Sequence, residues 1–349
     1  MADADLERKL EDQLGRRLGC AVAVSSLEPL AGGASCRIYS FQADFPDTGG
    51  SRELVLRMDA DGGSLEGDRT EEFALLGAAH RTGVTVPEPL VAGDAEAGLG
   101  GSFFVMERAA GEAIARRLLR DDTYAATRAA LPADLGRELA HIHRIDAGDP
   151  SLSFLADRAP GGDDPRRFAL EEIARYRRTL DLAGQGRPYP LLELTARWLE
   201  LNAPPIERPV VVHGDFRIGN VMFDDTGLTA VLDWELAHLG DPVEDLGWLC
   251  VWAWRFGAPK PVGGLCERDE LLEHYRRAGG AEVDRTRLRY WELYGNWKWA
   301  VICVMQGARH DAGSRRDLEL AAIGRRVAET EWEILALLDE IEASEADRD

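Results

Sequence analysis

Apolar residues recur at Leu6, Leu10, Leu14 and Leu18, the spacing of one helix face, and predict an amphipathic helix over residues 1–20. The pattern then changes. Ala21–Leu30, Cys36–Phe45 and Glu53–Met58 are short runs of strand-like composition, separated by AGGAS (31–35) and FPDTGG (45–50). Phe73, Leu75, Leu76 and Ala79 predict a helix over 68–82, and residues 84–109 predict two further strands around a Gly-rich turn. Beyond Gly111 helical patterning dominates, with Leu135, Leu139 and Ile142 marking one stripe and Leu191, Leu194, Trp198 and Leu201 another. RAPGGDDP (158–165) predicts a loop. A β island at 209–233 interrupts the helices, which resume to residue 341 before a tail, EASEADRD, expected to fray. The expected fold class is α+β, with a small β-rich N-terminal lobe (1–108) and a larger, mainly helical C-terminal lobe (109–349) carrying a β-hairpin.

Composition narrows the function classes. Of 349 residues, 62 are acidic and 41 basic, a net charge of −21, which argues against nucleic-acid binding and against docking on an anionic membrane. With 45% hydrophobic residues spread along the chain, a real core is expected rather than disorder. The longest apolar stretch, Gly247–Trp254, is far below the ~20 residues of a membrane span. The charged start, MADADLERKLEDQLG, is unlike an apolar leader, and cysteines 20, 36, 250, 266 and 303 form no CxxC pair; a cytoplasmic protein with reduced thiols is expected. Only three of the basic residues are lysines: Lys9, Lys260 and Lys298. Chemistry that needs a lysine between residues 10 and 259 is therefore excluded.

The informative segment is VVVHGDFRIGNVMFDDTGLTAVLDWELAHLGDPVEDLGW, residues 210–248. A tight hairpin brings the loop before its first strand beside the end of its second. Asp215, Asn220 and Asp233 can then converge on one point. Two carboxylates and an amide oxygen are hard oxygen ligands suited to Mg²⁺. A carboxylate left free of the metal can orient a hydroxyl for in-line attack on a phosphate.

Asp, then Asn five residues on, then a strand-end Asp is the arrangement of a kinase catalytic loop and its metal aspartate, with HGD in place of HRD and DWE in place of DFG. On HGDFRIGN, AVLDWELAHLGDP and YWELYGNWKWAVI, the chain resembles the aminoglycoside phosphotransferase family, in the branch associated with acyl-CoA dehydrogenases. The resemblance runs from about Leu30 to Gly313. It implies a two-lobed protein-kinase-like fold and an ATP- or GTP-dependent small-molecule kinase using Mg²⁺, with Asp215 catalytic and Asn220 and Asp233 holding the metal. His213 and Asp245 are assigned to structure. LAGGASCRIYSF resembles the nucleotide-covering hairpin, with Gly32 and Gly33 at its turn and Ser35 near its tip. The phosphate-anchoring cation on the third strand would be Arg57, a departure from the usual lysine, with Glu72 its helix partner and Glu71 the rival. FFVMERAAGEAI resembles the hinge, where backbone groups around Glu107 and Arg108 meet the adenine and Met106 lines its pocket.

The resemblance implies a small-molecule hydroxyl as acceptor. A hydroxyacyl-CoA fits the dehydrogenase-linked branch, and RYRR (175–178), Arg276 with Arg277, or Arg315 with Arg316 could meet its anionic groups. A cationic aminoglycoside or a macrolide is the alternative. The tryptophans at 248, 252, 254, 291, 297 and 299 are expected mainly in the core. Two other classes compete: a catalytically silent nucleotide-binding regulator, which Arg57 favours, and a metal-dependent phosphoesterase, which the scarcity of histidines disfavours. The oligomeric state stays open.

Overall fold

The structure, a computed structural model, describes residues 2–30, 36–47, 49–59, 68–313 and 318–346. The N-terminal lobe contains helix α1 (Ala2–Leu18), strands β1 (Ala23–Pro29), β2 (Cys36–Phe45) and β3 (Gly50–Asp59), helix α2 (Arg69–Thr82), and strands β4 (Pro89–Gly93) and β5 (Phe103–Glu107). The five strands form one antiparallel sheet in the order β1-β2-β3-β5-β4.

Strand alternation sorts this sheet into two faces. Leu54 and Leu56 of β3 and Phe103 and Val105 of β5 pack with Leu10 and Leu14 of α1. Val55 of β3 and Phe104 and Met106 of β5 turn the other way, toward Leu75 and Leu76 of α2 and the main core. Arg57 shares the parity of Val55, so the period of two aims this basic residue of β3 at α2 and the cleft.

The C-terminal lobe continues with α3 (Ala115–Arg120), α4 (Ala125–Ile142), α5 (Ser153–Asp157), α6 (Arg167–Gly184) and α7 (Pro190–Leu201). Short strands β6 (Val210–Val212), β7 (Val221–Phe223), β8 (Leu228–Val231) and β9 (His238–Gly240) follow. Helices α8 (Pro242–Leu249), α9 (Arg268–Arg277), α10 (Arg285–Asp311), α11 (Leu318–Gly324) and α12 (Val327–Ala346) complete the described chain. The long α10 runs through the lobe, burying Trp291 and Trp297. Gly247 admits it: a Cβ there would lie 2.5 Å from the Trp291 carbonyl carbon, so only glycine lets α8 and α10 approach this closely.

Two expectations are corrected. Residues 209–233 do not form one island. β7 and β8 make the hairpin, whereas Val210–Val212 pairs antiparallel with His238–Gly240, beyond the predicted boundary. A three-residue strand is too short to show a period, and its partner is non-local. The tail is helical to Ala346, because α12 continues past residue 341. The result is the two-lobed kinase-like architecture expected from the sequence. No helix among the described residues is long and apolar enough to cross a membrane, and all five cysteines are free.

Candidate active site

The site begins where β6 ends. Gly214 adopts φ 78°, and a Cβ there would sit 2.4 Å from the Leu236 carbonyl oxygen, so this turn accepts only glycine. The loop is pinned from beneath by the fully buried Asp245 at the start of α8. Its carboxylate accepts the N–H groups of His213 (2.8 Å) and Gly214 (2.9 Å), and lies 3.1 Å from His143 Nε2. Burial works against its charge, but His143, His213 and these donors hold the carboxyl below its ordinary range.

His213 is likewise structural. Its Nε2 donates to the Leu232 carbonyl (3.0 Å), and its Nδ1 accepts the Asp215 N–H (3.2 Å). Those partners fix the neutral tautomer, and burial pushes the imidazole pKa down.

Asp215 is therefore fixed in position before its carboxylate makes any contact. Oδ1 then accepts from the Trp248 indole (2.8 Å) and Arg217 Nε (3.0 Å), and Oδ2 from Asn220 Nδ2 (2.6 Å). Asn220 Nδ2 also donates to the Asp215 carbonyl (3.0 Å), so both amide protons are directed at Asp215. Asn220 Oδ1 faces away from that contact and makes no hydrogen bond among the described residues. The Leu232 N–H donates to the Asn220 carbonyl (2.8 Å), and the next residue is Asp233. The hairpin thus brings Asp215, Asn220 and Asp233 to one end. Asp233 sits at φ 70°, a left-handed conformation that Asp tolerates better than most residues but that still costs about 1 kcal/mol.

Across the cleft, Arg57 Nη2 lies 3.5 Å from Asp233 Oδ1, joining the lobes. Its other terminal nitrogen, Nη1, is 2.7 Å from Glu72 Oε1. Glu72 Oε2 in turn meets Arg69 Nη1 at 2.5 Å, and Arg69 Nε donates to Asp59 at 3.0 Å. Burial raises the Glu72 carboxyl, and the two guanidiniums compensate its charge. Glu71, the rival partner, points outward to Arg158 at 2.7 Å.

At the hinge, most of the backbone N–H groups are already bonded within the sheet. Met106 is buried beneath the hinge. The N–H groups of Glu107 and Arg108 are already engaged with the Glu88 (2.9 Å) and Glu53 (3.0 Å) carbonyls, and the Glu107 side chain pairs with Arg52 at 2.5 Å. The next N–H, that of Ala109, makes no hydrogen bond among the described residues. It is the better candidate for a base edge. Gly32, Gly33 and Ser35 lie outside the described residues.

The donor set suits a hard divalent cation. Asn220 has spent its amide protons and retains its oxygen, and Asp233 sits beside it at the hairpin end. The arginine clusters proposed for an anionic acceptor are paired within the helical lobe. Arg175 meets Glu172, Arg177 meets Glu193 and Glu200, Arg178 meets Glu171, and Arg276 and Arg277 meet Glu273. Arg315 and Arg316 lie outside the described residues.

Sequence reasoning missed Trp248, Arg217, His143 and Lys298, which touch the loop or its braces. Arg217 carried a signal, standing two residues after Asp215. The others come from helices distant along the chain, where no spacing marks them.

A family model described as "Phosphotransferase enzyme family" matches residues 26–291. Acyl-CoA dehydrogenase family member 11 of Gallus gallus is 31% identical over 330 residues, covering 87% of this chain and 41% of that protein. The chain spans less than half the length of the curated relatives it matches. Among solved structures, a protein from Ralstonia eutropha, described as a candidate aminoglycoside phosphotransferase, superposes with a TM-score of 0.71 at 23% identity, covering 94% of this chain and 97% of that one. A streptomycin–ATP ternary complex of APH(2″)-IIa superposes with a TM-score of 0.57 at 19% identity, covering 86% of this chain and 90% of that one.

Proposed function

The chain belongs to the phosphotransferase enzyme family, and from that premise we propose that it transfers the γ-phosphoryl group of ATP to a hydroxyl of a small molecule. The observation that carries the reading is the convergence of Asp215, Asn220 and Asp233 at one hairpin end, with Arg57 reaching Asp233 from the other lobe.

In this reading residues 1–108 form the nucleotide-binding lobe and 109–349 the catalytic one. Asp215 orients the acceptor hydroxyl and takes its proton as the oxygen attacks. Trp248, Arg217 and Asn220 hold its carboxylate in place, so little orientation is lost when the acceptor arrives. Arg57 binds the α- and β-phosphates, steadied by Glu72. A guanidinium can do this through two parallel N–H groups. Asn220 and Asp233 hold Mg²⁺, which when bound neutralises charge developing on the transferring phosphoryl group. Met106 lines the base pocket, and the Ala109 N–H meets the base edge. Gly33 and Ser35 cover the phosphates. ATP as donor rests on the structural likeness to a kinase complex that contains it.

The acceptor we favour is a hydroxyacyl-CoA, supported by the likeness to acyl-CoA dehydrogenase family members. An antibiotic acceptor is the second reading, supported by the aminoglycoside phosphotransferase neighbours.

The test is Mg²⁺-dependent ADP release across 4-hydroxyacyl-CoAs, aminoglycosides and macrolides. One acceptor class should stimulate release, and Asp215→Asn should lower it by about 10²–10⁴-fold, the usual worth of a general base, with the melting temperature retained. Release unaffected by Asp215→Asn would overturn the assignment.

A further inference from the structure

Lys298 is one of three lysines in the chain and is 1% exposed, midway along α10. Its Nζ donates to the Gly214 carbonyl at 2.9 Å, the peptide group immediately before Asp215. The same ammonium lies 4.7 Å from the ring centroid of Trp248, whose indole N–H donates to Asp215 Oδ1 at 2.8 Å. One buried cation therefore meets both the backbone that carries Asp215 and the ring that aims its carboxylate. We propose that Lys298 is a positioning residue for Asp215, acting through the Gly214 carbonyl and the face of Trp248. The proposal rests on the reading of Asp215 as the catalytic base.

The surroundings explain how a buried ammonium is tolerated. Glu244 Oε1 is 3.6 Å away, and the rings of Tyr176 and Tyr294 add faces at 5.3 Å and 5.9 Å. Glu244 belongs to a trio with Glu172 and His238, whose ligand atoms lie within 4.8 Å of one another. That geometry could hold a metal ion, but the charges oppose it. Lys298 and Arg175 (3.5 Å from Glu172) already supply two cations for two carboxylates. His238 Nδ1 sits 2.9 Å from the Leu236 carbonyl, and its Nε2 lies 3.1 Å from Glu244 and 3.9 Å from Glu172. By that count a proton on Nε2, which faces both carboxylates, adds one positive charge to the buried site, whereas a divalent ion would add two. The cluster is thus an ionic lattice seated under the catalytic loop, with Lys298 as its contact to that loop. A methionine could fill the same volume, so packing alone does not call for an amine here.

The test uses the full-length protein with ¹⁵N-labelled tryptophan, the Trp248 indole resonance being assigned by its loss in Trp248→Phe. Lys298→Met should move that resonance in the direction Asp215→Asn moves it. It should also lower kcat for Mg²⁺–ATP hydrolysis to water between about tenfold and about a hundredfold, with KM for ATP unchanged. Because Lys298→Met removes a cation 3.6 Å from Glu244, Lys298→Met/Glu244→Gln removes the pair together and should behave alike. A folded double variant with an unmoved indole resonance would overturn the proposal. Failure of both variants to fold would also do so, since Lys298 would then be a structural residue. Stoichiometric zinc lost in His238→Gln would overturn the lattice. If Asp215→Asn itself kept full turnover, the proposed function would fall, while the indole resonance would still report whether Lys298 positions the loop.

Discussion

On the N-terminal side of the cleft, Arg57 is held by Glu72, Glu72 by Arg69, and Arg69 by Asp59. The chain alternates in charge and comes entirely from residues 57–72. On the C-terminal side, Asp215 is held by an indole, a guanidinium and an amide, and its loop by Asp245 and Lys298, whose bonds to the backbone span 31 to 84 residues of sequence. The first arrangement consists of charges answering charges, so deleting one strands the next in a buried site. The second aims one carboxylate through an indole, an amide and a guanidinium, and grips its backbone from below with the buried charges of Asp245 and Lys298, so deleting a donor to Asp215 alters aim before it alters stability. On one wall the functional side chain itself is a link in the chain of buried charges; on the other the buried charges lie one layer below the side chain they aim.

The largest expected effect tests the charge-balanced wall. Arg57→Met should cost about 3–5 kcal/mol of unfolding free energy, measured by urea titration, because it uncouples a buried ion pair. Arg57→Met/Glu72→Gln should recover most of that loss without recovering nucleotide binding, measured by calorimetry. If the single variant is as stable as the parent, the contrast between the walls fails.

Next comes pH. Burial opposes the charge on His238, but Glu172 and Glu244 raise its pKa to about 9. The proton's contribution is therefore full below the unfolded value near 6.5 and is lost as pH rises to about 9, up to about 3 kcal/mol. Urea midpoints should fall across that interval, and His238→Gln should flatten the fall. A parent profile level from pH 6.5 to 9 would show that the lattice beneath the loop is not held by a proton.

The smallest effect belongs to the rim of the hinge. Glu107→Ala and Arg108→Ala remove half-exposed side chains whose N–H groups stay in the sheet, so each should change stability by less than about 0.5 kcal/mol and leave ATP affinity unchanged. A tenfold weaker Kd in either would show that the side chain, and not only the backbone of this segment, meets the nucleotide.

Much of this was legible in the sequence because it is local. The family resemblance paired Arg57 of the third strand with Glu72, and the hairpin spacing put Asn220 and Asp233 at one end. What stayed hidden depends on distant packing. Trp248 and Lys298 are two apolar-context residues among many until Gly247 lets α8 and α10 close together and sets both against the loop. His143 reaches Asp245 across 102 residues. Arg69 opens α2, where no spacing marks it, yet its burial with Asp59 and Glu72 makes it part of the anchor. Hydrophobic period predicts faces, and it carries no information about which two faces meet.

The arginine on β3 also decides which reagents can find this protein. Nucleotide analogues bearing an acyl phosphate mark kinases by acylating the amine beside the phosphates, a reaction that needs a free-base nitrogen. A guanidinium stays protonated and does not react. Lys298, which touches this centre, is sealed in the core with its ammonium committed to Gly214. If Arg57 lies beside the phosphates as proposed, amine capture at that position would pass over this chain even with its cleft occupied.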